Sequence, residues 1–194
     1  MKVIVSGVPG AGKSSICEKI KSLTKRVESV NFGDLVYELS LEKYPKKISI
    51  RESTRELPRD DYLEIQKAVA KRIAELDNHV VIDTHLSLKT SRGFYPGLPK
   101  EVLEIIRPDI IVILEPTPAE IYRRRMKDTR EDVRNRDREE KDEIAFHMTV
   151  NRLFGVAYSA STGCYLAIID LSWQEDHPFH HAEVAAKTIL RLLG

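Results

Sequence analysis

Met1-Lys2-Val3-Ile4-Val5-Ser6-Gly7-Val8-Pro9-Gly10-Ala11-Gly12-Lys13-Ser14-Ser15 opens the chain. A short β-branched run passes directly into Gly-x-x-x-x-Gly-Lys-Ser, and Ser15-Ile16-Cys17-Glu18-Lys19-Ile20 continues as a helix-forming segment. Strand, glycine-rich turn and helix form the context in which this spacing makes a phosphate-binding loop. The glycines let backbone N–H groups curl around phosphate oxygens. The helix N-terminus adds partial positive charge. Gly7, Val8, Pro9, Gly10, Ala11, Gly12, Lys13, Ser14 and Ser15 are therefore the expected triphosphate cradle. Lys13 is expected to reach the β- and γ-phosphates, and Ser14 to ligate Mg2+.

Working outward, four further β-branched runs follow Val3-Ile4-Val5: Val27 to Val30, Val80-Val81-Ile82, Ile110 to Leu114, and Leu166 to Ile169. Most are continuous rather than alternating, as in strands buried on both faces of a parallel sheet. Helical patterns lie between them. Tyr62, Ile65, Val69, Ile73 and Leu76 draw one apolar stripe. Thr117-Pro118-Ala119-Glu120 reads as a helix start, with Thr117 capping, Pro118 at the first helical position and Glu120 completing a capping box. A last helix is expected from about Ala182 to Leu193. Alternating strands and helices imply βαβ units, hence an α/β fold of three layers around a five-stranded parallel sheet, the P-loop NTPase fold. Ligands then bind at the carboxyl ends of the strands. Three stretches interrupt the pattern: 32–60, polar and helical; 84–99, a Gly/Pro/Thr-rich loop; and 127–138, dominated by charge.

Length and composition agree with one domain. The 194 residues are 42% hydrophobic and 31% charged, with a net charge of +1. Such a chain buries roughly 70% of its unfolded surface and needs no disulfide or metal to hold it. The charge balance gives no chain-wide grip on nucleic acid. Cys17 and Cys164 sit far apart in apolar surroundings and read as buried thiols, outside any metal-binding spacing. No apolar run approaches a membrane span, and the chain opens on a strand rather than a signal peptide. These features together point to the cytoplasm.

Val80-Val81-Ile82-Asp83 is an apolar strand ending in a carboxylate. Beside a phosphate loop, such an Asp holds Mg2+ or its water. A GTPase would need Asn-Lys-x-Asp, and Asn135-Arg136-Asp137-Arg138 has the wrong residue types. The small size, with inserts around one sheet, suits a kinase for a nucleotide or small metabolite.

Several stretches make the resemblance specific. They are Gly-Val-Pro-Gly-Ala-Gly-Lys-Ser at 7–14, Asn31-Phe32-Gly33-Asp34, and the segment 82–99 with Ile-Asp-Thr-His, Lys-Thr and Gly-Phe-Tyr-Pro-Gly-Leu-Pro. Asp128-Thr129 with Arg134-Asn135-Arg136-Asp137, Arg152 to Tyr158, and Thr162-Gly163 add to them. Together they resemble the archaeal-type adenylate kinases over nearly the whole chain. One departure is a small extra segment, Arg130 to Val133, within the charged stretch. The resemblance implies Mg·ATP + AMP ⇌ 2 ADP. It implies a core of 1–31, 61–126 and 139–194, a helical AMP-binding insert at 32–60 and a short lid at 127–138. It puts Arg55 on the AMP phosphate, Phe32, Gly33 and Asp34 near the adenosine, and Thr84, His85, Lys89, Gly97 and Leu98 along the AMP site. It makes Arg124, Arg134 and Arg136 the catalytic arginines beside Lys13, and Ser14 and Asp83 the Mg2+ ligands. ATP, AMP and ADP are the implied partners. Some members of the family assemble as trimers, so monomer and homo-oligomer both stay open.

The residues carry their own physics beside that implication. Arg51 and Arg55, four apart, fall on one face of an α-helix, where they would grip a phosphate or stay solvated. His85 reads as a positioning hydrogen-bonder, because an anionic acceptor needs little proton abstraction. From Arg123 to Arg138 there are eight basic and four acidic side chains. Fixed guanidiniums stabilise the charge of a transferring phosphoryl group, and a flap carrying them excludes water. Three consecutive arginines point in different directions around a helix, and a solvated, salt-bridged role is expected for Arg123, Arg130 and Arg138. An RNA-binding patch would need interleaved aromatics, which this stretch lacks. His177, His180 and His181 cluster beside Pro178, where a helix entry is the preferred reading over a metal site. Trp173 and Gln174 follow the last strand, where a backbone contact to the ATP base is expected. Two alternatives remain: a kinase for another nucleoside monophosphate, and an adenylate-kinase-like ATPase acting in ribosome assembly.

Overall fold

Each of the five apolar runs becomes a strand of one parallel sheet. The computed structural model describes residues 1–130 and 140–194, with the backbone alone for Glu52, Arg55 and 128–130. The strands are β1 (Lys2–Ser6), β2 (Val27–Asn31), β3 (His79–Asp83), β6 (Ile110–Pro116) and β7 (Tyr165–Leu171), in the order β2-β3-β1-β6-β7. All neighbouring pairs are parallel. β4 (Ser87–Thr90) and β5 (Gly93–Pro96) form a separate antiparallel hairpin. The helices are α1 (Lys13–Leu23), α2 (Phe32–Lys43), α3 (Arg59–Ala74), α4 (Lys100–Ile106), α5 (Pro118–Arg130), α6 (Lys141–Thr162) and α7 (His180–Leu192), with a 3-10 turn at Arg51–Glu56.

Side-chain alternation along each central strand feeds two cores. Ile4, Val80, Ile82, Ile111 and Ile113 pack with α2, α3, α4 and Tyr158 of α6. Val3, Val5, Val81, Ile110, Val112 and Leu114 pack with Ile16 and Ile20 of α1 and with Ala182, Ala185, Ala186 and Ile189 of α7. Three layers result. Each fully buried isoleucine contributes about 2–3 kcal/mol of transfer free energy. The expected α3 stripe is the packed one, with Ile65, Val69 and Ile73 buried. The edge strands depart from the two-faced pattern, and Tyr165 and Ile168 of β7 are exposed. Among the described residues no helix is long and apolar enough to cross a membrane.

Two local expectations need correction. The stretch 84–99, read as a loop, contains the β4–β5 hairpin, because Thr90 and Gly93 close a tight turn in which the Thr90 hydroxyl donates to the Gly93 carbonyl (2.7 Å). Arg51 and Arg55 lie on a 3-10 turn rather than an α-helix. With three residues per turn, positions four apart do not share a face.

β1 has β3 on one side and β6 on the other, so the connections leave it in opposite directions. That reversal opens a crevice at the carboxyl end of β1, where Gly7 begins the phosphate loop.

Candidate active site

The loop is shaped by its own backbone. The Ala11 N–H donates to the Val8 carbonyl (3.0 Å), and Gly12 caps α1 in the left-handed region (φ 98). A side chain at Gly12 would be strained there, so glycine is what lets the chain turn from loop to helix. Val8 is buried against Ile121 of α5 and Ile144 of α6, while Ser14 and Ser15 stand in the first turn of α1.

Lys13 folds back over this loop. Its Nζ donates to the Gly7 carbonyl (3.1 Å) and lies 4.0 Å from the Asp83 carboxylate. His85 Nδ1 is 3.0 Å from the same carbonyl. Lys13 Nζ lies 3.4 Å from the same ring nitrogen, so His85 Nδ1 sits between the Gly7 carbonyl and the Lys13 ammonium. Asp83, at the end of β3, is buried, and burial pushes its carboxyl pKa up against the pull of Lys13, Arg51 and the Asn31 amide.

A polar chain runs from Asp83 into the 32–60 segment. The Asn31 amide donates to Asp83 Oδ2 (2.9 Å). Its Oδ1 accepts from the Asp34 N–H (3.1 Å), capping α2, and from Arg51 Nη2 (2.8 Å). Arg51 also meets Asp34 at 2.6 Å. The guanidinium lies over Gly33, where a Cβ would come within 2.1 Å of Nη2. Phe32 is buried in the core, so its contribution here is its backbone.

The arginines of α5 separate by direction, as expected for consecutive residues. Arg123 is ion-paired to Glu120 on the surface. Arg124 turns to the phosphate loop, with Nη1 donating to the Ala11 carbonyl (3.3 Å) and Nε to Glu120 Oε1 (2.7 Å). Thr117 caps the Glu120 N–H (3.1 Å), and the Glu120 carboxylate serves Arg123 and Arg124. Arg125, which the sequence reading passed over, is buried, with Nε donating to the Pro9 carbonyl (2.8 Å). Its signal is positional: it stands four residues after Ile121, which is wholly buried.

Of the remaining candidates, Thr84 is buried and its N–H donates to the Val5 carbonyl (3.2 Å). Gly97 closes the hairpin onto Leu86 (N···O 2.9 Å), and its carbonyl accepts from Gln66 (3.2 Å). Leu98 is fully buried, and Lys89 reaches Glu143 of α6 at 3.8 Å. The Arg55 side chain, Arg134 and Arg136 lie outside the described residues.

Comparison with known proteins places this geometry. A model of the AAA domain matches residues 6–145. An adenylate kinase of Pyrobaculum aerophilum is 36% identical over 195 residues, covering 100% of this chain and 96% of that protein. The chain belongs to the adenylate kinase family. Other adenylate kinases are similarly close: that of Pyrococcus horikoshii is 36% identical, covering 98% of this chain and 94% of its own length. That of Methanothermobacter thermautotrophicus is 39% identical, covering 86% and 88%. This chain also shares its fold with a shikimate kinase of Acinetobacter baumannii solved with shikimate (TM-score 0.61, 15% identity, 99% of this chain and 92% of that one). A shikimate kinase of Bacteroides thetaiotaomicron is similar (TM-score 0.57, 19% identity, 100% and 98%).

Within this family member the histidine cluster takes no metal-like form. Among the described residues, no group of three or more His, Cys, Asp or Glu is placed to hold a metal ion. His177 stacks on His180 (4.4 Å between centroids), and α7 starts at His180 rather than Ala182. His181 is buried beside Arg124, a contact that the sequence did not reveal.

Proposed function

We propose that the protein transfers a phosphoryl group reversibly from Mg·ATP to AMP, giving two ADP. The observation that carries this is the continuous polar chain Lys13–Asp83–Asn31–Arg51–Asp34. It joins the phosphate loop to the segment that would hold a second nucleotide. ATP would lie on residues 7–15, and AMP on Phe32, Gly33, Asp34 and Arg55 with Thr84, His85, Lys89, Gly97 and Leu98. The same reading divides the chain into a core, an AMP-binding insert at 32–60 and a lid at 127–138.

Ser14 and Asp83 would hold Mg2+. A hydroxyl and a carboxylate are the hard oxygen donors this ion takes, and the desolvated Asp83 charge suits a cation. An ion held by these residues would supply positive charge that offsets the phosphate charge. Lys13, Arg124, Arg134 and Arg136 would hold the negative charge spread over the transferred group. The acceptor phosphate is already anionic, so no base is required. His85 supports the loop through Gly7. The buried free thiols Cys17 and Cys164 suit a reducing cytoplasm.

A two-nucleotide mimic, two adenosines joined through a polyphosphate, tests the shared site. Calorimetry should find one mimic per chain, displaced by ATP and by AMP. Displacement by only one of the two would overturn the proposal.

A further inference from the structure

Arg124 is held by more than its own helix. Its Nη2 lies 2.8 Å from His181 Nδ1. A guanidinium only donates, so Nδ1 must accept and the ring proton sits on Nε2. That nitrogen is 2.8 Å from the Trp173 carbonyl, an acceptor. Both hydrogen bonds fit the tautomer with its proton on Nε2; Glu175 Oε1 also faces Nδ1, at 3.7 Å. Glu175 closes a second path, with Oε1 accepting from the His181 N–H (2.9 Å) and Oε2 lying 3.4 Å from Arg124 Nη2. Trp173 packs edge-on against the His181 ring (4.3 Å between centroids). Phe179, the cap of α7, takes the left-handed backbone (φ 65), an uncommon state for an aromatic residue that surrounding structure must impose.

We propose that His181 is a positioning residue that holds Arg124 against the phosphate loop, and that it does so as the Nε2–H tautomer. His181 is 4% exposed. It acts through Arg124, whose Nη1 reaches the Ala11 carbonyl. The inference rests on the reading of Arg124 as a phosphate-facing arginine. An arginine left to itself samples many rotamers. Here its guanidinium is fixed by Glu120 of α5, by His181 of α7 and by Glu175 after β7, contacts within the protein that would preorganise it. The lock belongs to the ATP side of the site, and among the described residues its hydrogen bonds involve none of the 32–60 segment.

The full chain tests it by calorimetry with ATP alone and with AMP alone. His181→Phe keeps the ring and removes both nitrogens. It should weaken ATP binding about tenfold, the usual effect of losing a hydrogen bond to a charged group, and leave AMP binding unchanged. His181→Asn, whose Oδ1 stands where Nδ1 stood, should recover ATP binding to within about threefold of wild type. In an Arg124→Ala background, His181→Phe should add nothing, because the contact is already gone. Multiplying losses in the double variant, or wild-type ATP affinity in His181→Phe, would overturn the proposal. The 15N spectrum of wild type decides independently of the variants' folding: a protonated Nε2 and a bare Nδ1 at neutral pH are expected, and a protonated Nδ1 overturns the lock. If ATP binding follows this pattern while AMP-dependent turnover is absent, the lock stands and the functional reading falls.

Discussion

The Lys13 ammonium is held by the Gly7 carbonyl and faces Asp83. A phosphate arriving in the loop offers it stronger, charged acceptors. Lys13→Ala should lower turnover by about 100-fold or more, with far-UV circular dichroism like wild type. Ordinary turnover in that variant would remove the loop from the chemistry. Cys17 lies under the same loop, on the buried face of α1. Burial pushes its thiol pKa up to about 11. Thiolate is the reactive form, so at pH 8 the folded protein should leave Cys17 unmodified by a thiol reagent, and denaturant should expose it. Rapid modification of the native protein would contradict the packing. At this scale the phosphate loop was legible from its spacing, and Asp83 stood out only as the end of an apolar strand beside that loop. Arg125 and His181 were not, because their roles arise from contacts made across the fold, to the Pro9 carbonyl and to Arg124.

Elements were legible where their period was long. The stripe from Tyr62 to Leu76 defined α3, and the β-branched runs defined the sheet. The hairpin at 87–96 was not legible. Its strands have four residues each, pair only with each other and offer little apolar alternation. The 3-10 turn at Arg51–Glu56 was equally hidden, since three and four residues per turn differ little over six positions. The hairpin is anchored at Gly97, where a Cβ would fall 1.8 Å from the His85 carbonyl oxygen. Backbone must move to admit it. Gly97→Ala should destabilise the protein by about 3 kcal/mol, read from the urea midpoint, and should weaken AMP binding more than ATP binding. An unchanged midpoint would contradict the close approach.

The molecule as a whole places the phosphate loop and the proposed AMP-binding segment along the carboxyl ends of one sheet. β1 carries the phosphate loop, β2 leads into Asn31 and the insert, and β3 ends in Asp83 between them. This layout follows from strand order, which right-handed crossovers restrict to few choices. The most direct test of the central claim is a coupled assay of ADP formation from Mg·ATP, run alone and with each nucleoside monophosphate. The account predicts rapid ADP production with AMP and little without it. Slow production indifferent to AMP, or a faster rate with a different monophosphate, would contradict it.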